Sequence, residues 1–231
     1  MKFKDKLLQG TLLKRYKRFF VDIKYQNKTI TAHCPNSGSM LGLLNPGNIV
    51  WFSKADDPKR ILKYTLQIIN VEEKLVGINT HLTNKIVLEA LNQKKIKKLV
   101  KFNNIKSEVK FSENTRFDFL ISNDSEKCFL EVKNVTLVRK NKIAEFPDSI
   151  TSRGTKHLKE LIKAKKKGYA SYILYLIQRE DCGIFKIAKD IDQEYKIAFD
   201  ESLKNGVKIL CYDCKLSTEG INLNNQINYE Q

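Results

Sequence analysis

The sequence predicts a two-domain α+β protein, with an N-terminal β-barrel and a C-terminal α/β domain built on a mixed sheet. Up to about residue 80, short strand-like runs alternate with turn residues, and no long helical pattern occurs. From about residue 81 the pattern becomes helix, three strands, helix, strand. With 231 residues, of which 42% are hydrophobic, the chain can form two cores. We therefore expect domains at 1–80 and 81–231.

The first domain contains about five strand-like segments in some 80 residues. That number suits a small closed barrel, and the OB-fold is the commonest such barrel that binds nucleic acid. The expected strands are Leu12 to Ile23, Thr29 to His33, Ile49 to Lys54, Tyr64 to Val71 and Lys74 to Asn79.

The first expected strand interleaves cations with aromatic rings. In proteins that bind single strands, cations contact the phosphates and rings stack on the bases. This pattern predicts a nucleic-acid contact at Lys14, Arg15, Tyr16, Lys17 and Arg18. We expect Phe19, Phe20 and Trp51 to fill the barrel instead.

The second domain begins with an amphipathic helix from Leu82 to Leu91, because its apolar residues recur at helical spacing. Glu89 lies near one edge of the apolar stripe. Two interpretations stay open for Glu89: a further acid of a catalytic site, or an ordinary exposed glutamate.

Two strand-like runs follow, and they carry the residues with the most chemical content. Asp118 lies on the first, and Glu131 and Lys133 lie on the second. Residues two apart on a strand share a face, so Glu131 and Lys133 point the same way. Their neighbours are apolar enough for a buried strand, where an unpaired glutamate or lysine would be costly. The same Glu-x-Lys pattern also occurs on many solvated strands.

A D-(x12)-E-x-K arrangement on adjacent antiparallel strands is typical of the restriction-endonuclease-like, or PD-(D/E)xK, fold. There the two carboxylates, here Asp118 and Glu131, would bind Mg²⁺ or Mn²⁺, since such hard ions prefer carboxylate oxygens. The ion would acidify water and neutralise charge on a phosphodiester, while Lys133 positions the nucleophile. Pro147-Asp148 follows the Glu-x-Lys, so it does not supply the metal aspartate.

A further helix is expected from Ser149 to Lys167, and Gly168 ends it. Arg153, Lys156 and His157 occupy its first turns, where backbone amides and the helix dipole attract anions. These residues are predicted phosphate contacts, although a single histidine at a helix start is more often structural. A strand, a helix and a last strand follow, and the tail after Leu223 is expected to be mobile.

Composition favours a polyanionic partner. The formal charge is +16, from 42 Lys and Arg against 26 Asp and Glu. DNA is the first candidate, and RNA stays open.

No apolar run reaches membrane-spanning length and the first residues lack a signal core, which favours a cytoplasmic protein without a membrane partner. The sequence leaves the oligomeric state undetermined. The five cysteines suit no disulfide framework, and the pair Cys211 and Cys214 lacks further zinc ligands.

Six short sequence blocks follow one another along the chain: Arg15 to Phe19, Ala32 to Met40, Arg116 to Phe119, Glu131 to Leu137, Phe146 to Asp148 and Arg153 to Leu158. In their order and spacing the chain resembles the sugar fermentation stimulation protein A (SfsA) family along nearly its whole length.

The resemblance implies an OB-like domain followed by a restriction-endonuclease-like domain, DNA binding with little sequence preference, and a regulatory link to sugar metabolism such as maltose genes. It implies a site at Asp118, Glu131 and Lys133, with Glu89 as a helical acid. In one departure, Thr155 stands where family members carry Gln between the Gly and Lys of the R-G-x-K-H segment. A shorter side chain there puts any polar contact from that position in doubt.

Overall fold

The computed structural model describes residues 1–57, 59–140 and 142–230, so the expected end of the second domain at residue 231 lies outside it. Six strands form the first sheet: β1 Leu8–Tyr16, β2 Phe20–Tyr25, β3 Lys28–His33, β4 Ile49–Lys54, β5 Tyr64–Val71 and β6 Lys74–Gly77.

The first sheet closes into a five-stranded barrel. β1 pairs with both β2 and β4, and β5 pairs with β4 and, through a parallel bridge from His33 to Thr65, with β3. Side chains that alternate along these strands, such as Leu12, Ile23 and Phe52, point into the interior and are completely buried. The predicted small barrel is confirmed.

The prediction of one strand from Leu12 to Ile23 is wrong. Lys17 and Arg18 have positive φ angles of 46° and 63°, and they make a turn between β1 and β2. Neither residue is Gly or Asn, so the sequence carries no turn signal there. The turn leaves Phe19 exposed, and Phe20 and Trp51 are only half-buried, so these aromatic residues do not fill the barrel as expected.

The second domain contains two sheets and, in the described residues, three α-helices. The larger sheet has the order β15-β14-β12-β9-β8-β7 and mixes parallel and antiparallel pairs, as predicted. Its strands are β7 Asn104–Ser112, β8 Thr115–Ser122, β9 Lys127–Val135, β12 Ala170–Ile177, β14 Lys208–Ser217 and β15 Gly220–Gln226. The helices are α1 Thr83–Asn92, α2 Ser152–Lys166 and α3 Gln193–Lys204.

The large sheet has a core on each face, one packed against α1 and the other against α2 and α3. Cys211 and Cys214 lie three residues apart on β14, so they enter opposite cores as small apolar side chains. Their separation explains why this C-x-x-C does not form a common ligand pair.

A smaller sheet was not predicted. It consists of β10 Leu137–Lys140, β11 Ile143–Phe146, β13 Ile184–Ile187 and β16 Asn228–Glu230. Because residues after Leu223 complete β15 and form β16, which pairs with β13, the expectation of a mobile tail is wrong.

The two domains are joined by polar contacts next to the sheet. Asp148 accepts a hydrogen bond from the amide of Met40 at 3.0 Å, and its carbonyl accepts one from the Ser39 hydroxyl at 2.6 Å. The amide of Gly77 donates to the carbonyl of Gln178 at 2.9 Å. The loop after β3 therefore contacts the second domain through the aspartate of Pro147-Asp148.

Candidate active site

A cleft opens where β8 and β9 separate. The two strands pair from Phe119 and Leu130 towards the β8–β9 turn, and no pair between them continues on the other side. The amide of Val132 donates instead to Asp118 Oδ2 at 2.7 Å. This divergence turns Asp118 into the space beside β9. Asp118, Glu131 and Lys133 line one cavity there, of about 730 Å³.

Asp118 is fixed by two donors and is costly to ionise. Besides the Val132 amide, the Nδ2 group of Asn84 on α1 donates to Asp118 Oδ1 at 2.8 Å. Burial, and next the charge of Glu131, raise the pKa of Asp118 to about 6, even though both hydrogen bonds and Lys133 act in the opposite direction. The protein thus keeps a carboxylate where neither burial nor its neighbour favours one.

Glu131 is the most constrained residue of the cleft. Only 2% of it is exposed, and its Oε1 accepts a hydrogen bond from Lys133 Nζ at 2.6 Å and contacts His157 Nδ1. Burial opposes ionisation, but Lys133 and then His157 outweigh it, so that the pKa of Glu131 lies below its ordinary value. The other oxygen, Oε2, is buried and has no hydrogen-bond partner among the described residues.

The unpaired oxygen provides the test of whether a divalent cation fits. A buried carboxylate oxygen without a partner costs free energy unless something outside the chain binds it. Asp118 and Glu131 are the hard, anionic ligands that Mg²⁺ and Mn²⁺ prefer, and Mg²⁺ keeps several waters, so few protein ligands suffice. Among the described residues no group of three or more His, Cys, Asp or Glu could hold a metal ion. The fit rests on this carboxylate pair.

Two residues of the cleft were missed by sequence reasoning. Asn84 orients Asp118, as described. Glu108 on β7 also lines the cleft. It lies opposite Asp118 on β8, because its two neighbours in the sequence pair with the two neighbours of Asp118. Its φ angle is positive, at 53°. A non-glycine residue in this conformation is often found at functional sites. A carboxylate on an exposed edge strand gives no signal in one sequence.

The structure places Glu89 away from the cleft. Its Oε1 binds the amino group of Met1 at 2.9 Å. At 100° per residue, Glu89 lies about 140° around α1 from Asn84, which contacts Asp118. The prediction of Glu89 as a helical acid of the site is therefore wrong, and Asn84 is the residue of α1 that reaches it.

Arg15 has a structural role, which contradicts its prediction as a nucleic-acid contact. Its guanidinium donates to the carbonyls of Arg18, Asn36, Gly38 and Ser39 at 2.7 to 3.2 Å. These bonds hold the loop that contacts the second domain, and they use four of the five N–H donors of the guanidinium.

The other predicted contacts of the barrel fall into two groups. Asp22 forms an ion pair with Lys14 at 3.8 Å and accepts a hydrogen bond from the Tyr16 hydroxyl at 3.2 Å, so both side chains contact a carboxylate of the barrel. Lys17 and Arg18 are exposed in the β1–β2 turn rather than in a row along one strand, and Arg18 borders a cavity at the domain junction. Of the five residues, Arg18 is the one that lines this cavity together with residues of the second domain.

The three residues predicted to contact phosphate at the start of α2 also fall into two groups, two exposed and one buried. Arg153 is exposed and lines the cleft. Lys156 is exposed, and its Nζ donates to the carbonyl of Asn114 at 2.9 Å. His157 is buried and holds Glu131, so its expected role on the binding surface is corrected to positioning a carboxylate. Thr155, which stands where family members carry Gln, is buried, and its hydroxyl has no hydrogen-bond partner among the residues that the structure describes.

A closed barrel of OB type joined to a restriction-endonuclease-like sheet defines the class of protein. Residues 13–78 match the model of the SfsA N-terminal OB domain, and residues 81–220 match that of the sugar fermentation stimulation protein RE domain. The chain belongs to the sugar fermentation stimulation protein (SfsA) family.

Relatives agree over the full length. The chain is 53% identical to the sugar fermentation stimulation protein homolog of Pelagibacter ubique over 227 residues, covering 98% of each chain. It is 44% identical to that of Paramagnetospirillum magneticum, covering 96% of this chain and 95% of the relative. The structure of Pyrococcus furiosus SfsA in complex with Ca²⁺ superposes with a TM-score of 0.90 at 26% identity, covering 100% and 98% of the two chains.

Proposed function

We propose that this chain is a nucleic-acid-binding phosphodiesterase that depends on a divalent cation, with DNA as its first candidate substrate and RNA as the alternative. The strongest support comes from Glu131, a buried carboxylate. One of its oxygens is bound by Lys133 and His157, and the other has no partner among the described residues. Asp118 shares its cleft. The structure of Pyrococcus furiosus SfsA is in complex with Ca²⁺, a hard cation that takes oxygen ligands, and this supports a cation site in this chain as well.

Asp118 and Glu131 would hold Mg²⁺ or Mn²⁺. The bound ion would lower the pKa of water and offset charge on the phosphodiester. The remaining chemistry belongs to side chains of this chain. Asn84 and the Val132 amide orient Asp118, and His157 keeps Glu131 in place. Lys133 Nζ, 2.6 Å from Glu131, can donate to a phosphate oxygen or to the attacking water from a fixed position.

Charge supports the choice of substrate. The chain carries +16 overall, and Arg153 and Lys85 line the same cavity as the carboxylates. A phosphate backbone would be attracted by the protein as a whole and by these cations locally. In described residues, no helix of the chain is long and apolar enough to cross a membrane.

The test is cleavage of single- and double-stranded DNA and RNA with Mg²⁺ or Mn²⁺, by wild type, Glu131→Gln and Lys133→Ala prepared identically. We expect strand cleavage by wild type alone, with its loss on addition of EDTA. Equal cleavage by the variants would show a contaminating nuclease. DNA binding without cleavage by any protein would instead favour a regulator of sugar metabolism genes, such as maltose genes, that keeps a nuclease scaffold.

A further inference from the structure

A second cavity, of about 670 Å³, lies on the other side of His157 from the carboxylates. It is bounded by the tip of the β7–β8 hairpin and the first turns of α2. No cavity residue other than Arg153 also lines the carboxylate cleft. Its size is in the range of pockets that accept a nucleotide or another small ligand.

Four cations line this cavity against a single carboxylate, that of Glu113. They are Lys110 and Arg116 from the hairpin and Arg153 and Lys156 from α2. Ser152 and Arg153 are the first residues of α2, so the positive end of a 15-residue helix also faces the cavity. All these features attract an anion.

An independent observation comes from Thr115. It lines the cavity and is only 4% exposed, and its Oγ1 has no hydrogen-bond partner among the described residues. A buried hydroxyl without a partner costs free energy, whereas an oxyanion in the cavity would accept its hydrogen bond. The same wall thus combines four cations, a helix N-terminus and an unused donor.

Two links connect the cavity to the cleft. Arg153 lines both, and His157 lines the cavity while its Nδ1 contacts Glu131. Arg153 therefore borders both the space at the carboxylates and the space of this cavity.

We propose that this cavity binds the phosphate next to the scissile one, through Lys110, Arg116, Arg153 and the Thr115 hydroxyl. That the neighbouring phosphate is the one cleaved rests on the proposed function, whereas the binding of phosphate in this cavity does not. It makes the substrate a strand with at least two consecutive phosphates, so a dinucleotide with a single phosphodiester and no terminal phosphate would be a poor substrate.

The first experiment titrates inorganic phosphate into the full chain in metal-free buffer at constant ionic strength. We compare wild type, Lys110→Ala/Arg116→Ala and a matched control, Lys204→Ala/Lys215→Ala, whose two lysines are exposed and line neither cavity. Wild type and control should bind equally, and the hairpin variant should bind at least about tenfold more weakly. No binding by wild type, or equal binding by all three, would overturn the proposal.

Thr115→Val separates binding from folding, because valine has nearly the same shape without the hydroxyl. We expect unfolding resistance equal to or above that of wild type and phosphate affinity lower by about tenfold. An unchanged affinity would remove Thr115 from the site, and an affinity unchanged in the hairpin variant as well would remove the site itself. Phosphate binding together with no cleavage of any nucleic acid would contradict the proposed function and leave the cavity assignment standing.

Discussion

Replacing Asp118 with Asn should stabilise the protein at neutral pH while abolishing its response to divalent cations. The pKa of Asp118 is raised from 3.8 to about 6, so the folded state favours the protonated form. A shift of that size corresponds to about 3 kcal/mol against the ionised form. Asn is uncharged and can still accept from the Val132 amide, and the Asn84 amide can rotate to offer its oxygen.

The direction in which the stability of the variant changes with pH, relative to wild type, follows from proton binding. Because the folded pKa is raised, the folded state holds more protons than the unfolded state between pH 3.8 and about 6. The wild-type contribution is present in full below pH 3.8 and is lost as pH rises through about 6. The advantage of Asp118→Asn should therefore be about 1 kcal/mol at pH 4.5 and about 3 kcal/mol at pH 7.5.

The assay is urea unfolding in EDTA at these two pH values. Asp190→Asn is the matched control, since hydrogen bonds from Arg139 lower the pKa of Asp190 to about 2, the opposite direction. That variant should lose stability at pH 7.5 and approach wild type in acid. A saturating divalent cation should stabilise wild type, by about 2.7 kcal/mol at a hundredfold excess over Kd, and not Asp118→Asn. If Asp118→Asn were less stable than wild type at pH 7.5 in EDTA, the reasoning about burial and like charge would be refuted.

Three further predictions concern other residues. Glu131→Gln should lower the free energy of unfolding in EDTA by about 2 to 4 kcal/mol, because Lys133 and His157 lose their shared anion in a buried place; no loss in urea unfolding would contradict the contacts described. Arg15→Ala should cost about 2 kcal/mol by freeing the loop after β3, but leave the salt slope of DNA affinity unchanged, whereas Arg18→Ala should do the reverse; a loss of slope in Arg15→Ala would restore it as a phosphate contact. Gly38→Ala should loosen the domain junction, since a Cβ there would lie 2.3 Å from an oxygen of Asp148; unchanged unfolding with unchanged cleavage would contradict that packing.

Local patterns were enough to predict the barrel, the large mixed sheet and the strands of Asp118 and Glu131. The periodicity of apolar residues can be recognised in a single sequence, and so can a charged pair on an otherwise apolar strand. The turn at Lys17 and Arg18 was missed because neither residue is Gly or Asn, the residue types that signal positive φ angles in a sequence. The small sheet was missed because β10, β11, β13 and β16 are only three or four residues long.

The carboxylates of the site could be predicted from the sequence, but the residues around them could not. Asp118, Glu131 and Lys133 follow the D-(x12)-E-x-K spacing, which can be read directly from the sequence. Asn84, Glu108 and His157 join them only through tertiary packing, and an exposed or ordinary residue type gives no hint of that. Glu89 was predicted for the site because a carboxylate suits a metal, yet the helix phase brings Asn84 rather than Glu89 to β8.

In the proposed function, Asp118 and Glu131 together hold a divalent cation against a nucleic-acid backbone. Anomalous scattering from a crystal of the full chain grown with Mn²⁺ would locate that cation. We expect one peak within coordination distance of Asp118 and of the unpaired Oε2 of Glu131, and no such peak in Glu131→Gln. A crystal with Mn²⁺ elsewhere and none between these two carboxylates would contradict it.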